Sequence, residues 1–223
     1  MNGFHPAPAQ PATLIVVGGH SRSVGKTSTI EQILRSRRGE SWTAVKISAH
    51  RHGCARGASP LVEEARSASP LTQAGRYLAA GASRALLCRT PDARLAEVTT
   101  FLRRLLDDGA RVIVESNRIA EVLRPDVLLF LVAPAIDDWK PSSGPCLARA
   151  DALVTPGHAA AAVAAATARG ASLDGHPVFE MDGDRHVRGL DVWLDARLER
   201  AARSGPSGCQ HLGLRPASRH GFP

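Results

Sequence analysis

The apolar positions fall into short continuous runs and helical stripes that alternate along the chain. Ala12 to Gly18 (ATLIVVG) is rich in β-branched residues and apolar through its centre, which predicts a buried strand. A Gly/Ser loop follows. From about Lys26 to Arg38 the residues Ile30, Ile33 and Leu34 share one helical face, and Trp42 to Ser48 (WTAVKIS) predicts a second strand. Ala49 to Pro70 carries His, Gly, Pro and Ser and predicts a long surface loop with room for a short helix. Thr72 to Ala82 has the pattern of a helix and Ala85 to Cys88 that of a short strand. Thr90-Pro91 then predicts an N-cap followed by proline at the first helical position, opening a helix with Leu95, Val98, Leu102, Leu105 and Leu106 at core spacing and a stop at Gly109.

The most strand-like pieces come next: Arg111 to Glu115 (RVIVE) and Asp126 to Ala133 (DVLLFLVA), joined by a short helix from Arg118 to Arg124. Asp151 to Thr155, an Ala-rich helix near His158 to Arg169, Pro177 to Met181 and a helix from Leu190 to Ala202 continue the alternation. Strands that are apolar throughout, separated by helices, imply a mostly parallel sheet covered on both faces, a three-layer α/β/α arrangement. One domain is expected from residue 12 to residue 202. Residues 1–11 are expected to be a flexible N-terminus, and the Gly/Pro/Ser-rich tail at 203–223 lacks periodicity and is expected to be disordered.

Composition narrows the picture. With 43% hydrophobic and 22% charged residues in 223, the chain reads as one globular domain. No apolar run nears the about 18 residues of a membrane-spanning helix, and the N-terminus lacks the basic start of a secretory signal, so no membrane partner and a cytoplasmic location are expected. The net charge of +7 invites a nucleic-acid reading. Of 28 basic residues, however, only Lys26, Lys46 and Lys140 are lysines; the rest are arginines scattered along the chain, which has the look of a compositional bias. The few aromatics form no stacking platform beside a basic run, so no specific nucleic acid is expected. Cys54, Cys88, Cys146 and Cys209 lie far apart without a CxxC pair, the pattern of reduced thiols.

The candidate chemistry begins at the end of the first strand. Strand, glycines, Gly25-Lys26-Thr27, helix is the order of a P-loop, in which backbone N–H groups and a helix N-terminus face phosphate oxygens. In such a loop the lysine bridges the β and γ phosphates and the threonine hydroxyl ligates Mg²⁺. Ser23, Val24, Gly25, Lys26, Thr27 and Ser28 form the expected binding set, with GTP or ATP and Mg²⁺ as cofactors. The position where GxxxxGK[ST] begins with glycine holds His20. A GKT triplet alone also occurs in ordinary turns; its setting between a buried strand and an amphipathic helix favours the P-loop. Glu115 ends an apolar strand at the carboxyl edge of the sheet, where a metal-side acid is needed, although it also suits the start of the following helix. Asp126 precedes its strand and so faces the opposite edge, in a structural place.

The segments LIVVGGHSRSVGKTSTIEQIL, VKISAHRH and GRYLAAGA and the strand ending in Glu115 occur in an order that resembles the MobB family, molybdopterin-guanine dinucleotide biosynthesis adaptor proteins related to dethiobiotin synthetase. The resemblance covers about Ala12 to Gly157, and more loosely Pro177 to Leu198. It implies a P-loop nucleotide-binding protein that prefers GTP over ATP, hydrolyses it slowly and serves as an adaptor in molybdenum cofactor biosynthesis, with a molybdopterin-processing protein as partner and a homodimer as an open possibility. Carried over, Lys26 and Glu115 are the catalytic pair, Thr27 and Glu115 the metal side, and Lys46 and His50 face the ligand from the second strand's end. Gln73 stands where the family commonly has Asp, and Ser116-Asn117-Arg118 replaces a Gly-containing turn. An ATP-dependent ligase or kinase of the dethiobiotin synthetase kind, or a nucleotide-binding interaction module without turnover, are the alternatives.

Four other groups carry candidate chemistry. His50, His52 and Cys54 offer metal donors without a second pair at zinc-finger spacing, so a polar loop is the simpler reading. Asp137-Asp138-Trp139-Lys140 follows a strand end where a ligand contact is as plausible as a plain surface loop. Thr155 to His158 reads equally as a helix-capping turn or a base contact. Cys88 and Cys146 read as small packing residues. No GxSxG elbow exists for nucleophilic catalysis.

Overall fold

The computed structural model describes residues 11–49 and 61–203, and the apolar runs of the sequence become strands of one eight-stranded sheet. In chain order the elements are β1 (Thr13–Gly19), α1 (Lys26–Ser36), β2 (Trp42–Ser48), β3 (Leu61–Glu64), α2 (Gln73–Ala80), β4 (Arg84–Arg89), α3 (Leu95–Asp107) and β5 (Arg111–Glu115). Then come α4 (Ile119–Val122), β6 (Val127–Leu131), α5 (Ser143–Leu147), β7 (Ala152–Thr155), α6 (Ala159–Thr167), β8 (Val178–Glu180) and α7 (Leu190–Arg203). The strand order is β3-β4-β2-β5-β1-β6-β7-β8, parallel except for β3, which runs antiparallel along the edge of β4.

The period of two along β1 divides its side chains between two cores. Leu14 and Val16 join Val98, Leu102, Ile119 and Leu147 on one face. Ile15 and Val17 join Ile30, Ile33, Tyr77 and Leu194 on the other. Helices α3 to α6 therefore cover one side and α1, α2 and α7 the other, which is the three-layer α/β/α fold expected from the sequence. Among the described residues no helix is long and apolar enough to cross a membrane.

Three local expectations are corrected. The stretch at 49–70 is not all loop: its described end holds β3, whose Glu63 and Glu64 pair with Arg89 and Arg84 across the antiparallel ladder. Thr90 does not cap a helix; its hydroxyl donates to the Pro91 carbonyl, and a short 3₁₀ turn at Asp92–Arg94 precedes α3. The five-residue α5 (SGPCL), with a glycine and a proline at its centre, carries no helical stripe in the sequence. Asp126 sits where expected, accepting from the Leu14 N–H at 2.8 Å at the edge of the sheet away from the glycine loop. The expected flexible N-terminus and disordered tail, together with His50, His52 and Cys54, lie outside the described residues, apart from the segment ends at Pro11 and Arg203.

Candidate functional site

The carboxyl ends of β1, β2, β4 and β5 open into one cleft of about 990 Å³. In α/β sheets this is the edge where ligands bind. Register places Glu115 beside Val17 on β1 and beside Lys46 on β2, so the last residue of β5 reaches the cleft between its two neighbours.

The glycine loop is built by close approach. Gly25 precedes α1 with a φ of +103°, a left-handed conformation, and a Cβ there would stand 2.7 Å from Met181 Cε. Gly18 has no room either: a Cβ would meet Cys146 Sγ at 2.6 Å and Asn117 Oδ1 at 2.9 Å. Asn117 itself takes the place of a strand partner for Gly19, accepting from its N–H at 2.8 Å and donating to its carbonyl at 3.1 Å. His20 is fully buried. Its Nε2 accepts from the Ala133 N–H at 3.0 Å, which puts the ring proton of the neutral imidazole on Nδ1. Burial, with the nearby Lys26 charge, lowers the His20 pKa and keeps it in that neutral form.

Glu115 is buried and heavily engaged. Lys46 Nζ donates to Oε1 at 2.8 Å, while the Tyr77 hydroxyl donates to Oε2 at 2.5 Å and the Thr27 hydroxyl to the same oxygen at 3.3 Å. Burial works to raise its pKa, but the Lys46 charge and the hydrogen bonds from Lys46 and Tyr77 outweigh it and hold the carboxyl below the usual range. Tyr77 moves the other way: burial and the neighbouring carboxylate push its phenol well above the ordinary value, so it keeps its proton. Gln73 donates from its side-chain amide to Thr27 Oγ1 at 3.3 Å, so the first residue of α2 reaches the loop.

Eight basic side chains face the cleft against two acids, Glu115 and Asp92. Four of the eight are paired: Lys46 with Glu115, Arg76 with Glu31, Arg89 with Glu63 and Arg118 with Asp92. The loop side differs. Lys26 Nζ donates to the Ser21 carbonyl, Arg185 donates to Ser28 Oγ at 3.4 Å, and neither these two nor Lys140 form an ion pair among the described residues. Burial lowers the Lys26 pKa to about 8; Glu115 opposes this, while Lys140 and Lys46 add to it by repulsion. The ammonium is half-buried and held in the loop, not on a solvent-facing turn. The arrangement is a concave surface with surplus positive charge and directional donors, chemistry suited to a polyanion.

Of the expected binding residues, Ser23, Gly25, Lys26, Thr27, Ser28, Lys46 and Glu115 line this cleft. Val24 does not: its side chain is fully buried and packs beneath the loop. His50 lies outside the described residues. The loop after β6 reaches the cleft through Lys140, and Asp138 accepts from the Ser21 hydroxyl at 2.9 Å. The Thr155 turn is closed by its own hydroxyl, which accepts from the Gly157 N–H at 3.0 Å. Buried Cys88 and Cys146, their thiols raised by burial to about 11 and about 12, stay protonated and pack. Sequence reasoning missed Tyr77 and Arg185. A lone tyrosine on a helical stripe looks like core, and an arginine in a polar turn carries no periodic signal at all.

Two oxygen donors, the Thr27 hydroxyl and the Glu115 carboxylate, stand at the cleft floor and suit a hard cation that takes its remaining ligands from phosphate and water. Among the described residues no group of three or more His, Cys, Asp or Glu side chains could hold a metal by itself. The chain matches no protein-family model and no curated protein.

Proposed function

We propose that this is a P-loop nucleotide-binding protein that takes a Mg²⁺-bound nucleoside triphosphate and hydrolyses it slowly. The observation that carries the reading is the convergence of the chain's only three lysines, Lys26, Lys46 and Lys140, on one cleft at a strand–glycine loop–helix junction. The other 25 of the 28 Lys and Arg residues are arginine, so lysine, a compact point charge, occurs nowhere else in the chain. Lys26 would contact the phosphates together with the N-terminus of α1. Thr27 and Glu115 would hold the magnesium ion, which when bound would neutralise charge on the transferred phosphoryl group. Lys46 fixes the carboxylate, and Asn117 holds the loop entrance.

The resemblance to the MobB family supports GTP over ATP, a cytoplasmic adaptor role in molybdenum cofactor biosynthesis and a molybdopterin-processing partner. One observation favours the second reading, a ligase or kinase of the dethiobiotin synthetase kind: the cleft continues past Glu115 to Leu87, Arg89 and Asp92, beyond the loop itself. Calorimetric titration of the protein with GTP, ATP and GMP, with and without Mg²⁺, followed by turnover assays, tests both. Triphosphate binding that needs Lys26 is expected. Absence of binding by every nucleotide refutes the proposal, and turnover that appears only with a small carboxylate acceptor selects the second reading.

A further inference from the structure

We propose that Lys140 is a second phosphate-binding lysine, and that it makes the cleft selective for ligands carrying a chain of at least two phosphates. The inference rests on the cleft being a nucleotide site and adds a residue that no phosphate-loop motif specifies. Lys140 comes from the loop after β6, far from the glycine loop in sequence, yet lines the same cleft as Lys26. It stands near enough to Lys26 for the two ammonium groups to repel.

The placement is built, not incidental. The Lys140 N–H donates to the His20 carbonyl at 3.0 Å, and Ser143 Oγ donates to the same carbonyl at 3.0 Å. Trp139 lies against the His20 ring with centroids 4.5 Å apart, and Ser21 donates to Asp138. On its outer side Trp139 carries the Arg169 guanidinium at 5.1 Å, and Arg169 also pairs with Asp137. The backbone of Lys140 is therefore tied to the glycine loop through His20 and Ser21, so its side chain starts from a fixed point beside Lys26.

Its charge lacks a close counterion. Among the described residues Lys140 forms no ion pair, and its attraction to Glu115 and Asp138 acts only at longer range. Burial and repulsion from Arg22 lower its pKa, the mark of an ammonium held partly out of water beside other cations. An anion between Lys26 and Lys140 relieves both. A single phosphate at the glycine loop satisfies Lys26; a second cation fixed on a different segment needs a further phosphate to engage it.

The test compares wild type with Lys140→Met and Lys140→Arg, titrated calorimetrically with orthophosphate, tripolyphosphate and GTP at neutral pH. Both variants keep the backbone N–H that anchors the loop, and circular dichroism confirms folding. Expected is a loss of about tenfold or more for tripolyphosphate and GTP in the Met variant, little change for orthophosphate, and substantial recovery in the Arg variant. Tripolyphosphate binding unchanged in Lys140→Met overturns the inference while leaving the nucleotide site intact. Equal losses for orthophosphate and tripolyphosphate also overturn it, because they reduce Lys140 to general charge. Wild type that binds neither tripolyphosphate nor nucleotide removes the reading beneath it as well.

Discussion

The hydroxyl of Tyr77, the chain's single tyrosine, donates to Glu115 Oε2 at 2.5 Å from a fully buried position in α2. The acid at the cleft floor is thus aimed from behind by a buried residue of α2, while Gln73 and Arg76 of the same helix line the cleft. Tyr77→Phe keeps the ring and removes one donor from a buried carboxylate. A stability loss of about 1.5–3 kcal/mol is expected, the range for hydrogen bonds to charged groups. Urea unfolding measures it, and a variant as stable as wild type contradicts the role given to the hydroxyl.

The aim of Glu115 also decides what its amide would do. Glu115→Gln puts a neutral amide of equal size in place of the carboxylate. Three donors surround the carboxylate, and glutamine turns an N–H₂ towards at least one of them while leaving Lys46 without its counterion. Glu115→Gln is expected to lose about 3 kcal/mol or more, as when one member of a buried ion pair is removed. Adding Lys46→Met should restore part of that stability without restoring Mg²⁺-dependent turnover. If denaturation shows the single variant unperturbed, the donor cluster does not bear on stability.

Lys26→Met separates stability from binding. Lysine here is a partly desolvated cation beside Lys46 and Lys140, so its removal is expected to leave the melting temperature equal or higher while abolishing triphosphate affinity. The folded pKa of about 8 lies below the ordinary lysine value, so the folded state binds fewer protons than the unfolded chain between these limits. Wild-type stability without ligand should therefore rise through that window, and the advantage of the Met variant should shrink. Thermal melts at pH 7 and pH 9.5 decide it; a Met variant that melts lower at both points against a desolvated lysine.

Binding follows pH with the opposite sense. In the proposed nucleotide complex the phosphates need a charged Lys26, and their approach raises its pKa. Affinity for Mg²⁺-nucleotide should be full below about pH 8 and fall as pH climbs past it, with proton uptake on binding in that upper range. Calorimetry in two buffers of different ionisation enthalpy at pH 8.5 reads the uptake directly. The signal should vanish in Lys26→Met, and a wild-type value of zero would exclude Lys26 as the titrating group.

Most of the sheet was legible because its central strands are apolar on both faces. A run such as VLLFL admits no surface, and so it announces a covered parallel strand. β3 escaped notice because LVEE is short and half charged, and its role depends on arginines of β4 that only the antiparallel register brings opposite. The glycine loop was legible as a motif. Its supports were not, since Asn117, Tyr77 and Lys140 act through pairings across 98, 38 and 120 positions that no local pattern encodes. His20, which stands where the motif begins with glycine, is the buried post to which the β6 loop is fastened, a role no local pattern shows.

The distances in sequence have a consequence for how the chain comes to life. The glycine loop closes on Asn117 and Asp138, 98 and 117 residues further along. During synthesis β1 and its loop leave the ribosome first and must wait, without their clamp, until β5 and β6 have emerged and slotted in on either side. Contacts of such long range form late and slowly. An N-terminal fragment would therefore carry the whole motif and still make a poor binder. On the proposed function, ligand capture would report that the middle of the sheet has been assembled, and a nucleotide would reward only the finished molecule by drawing the folding equilibrium towards it.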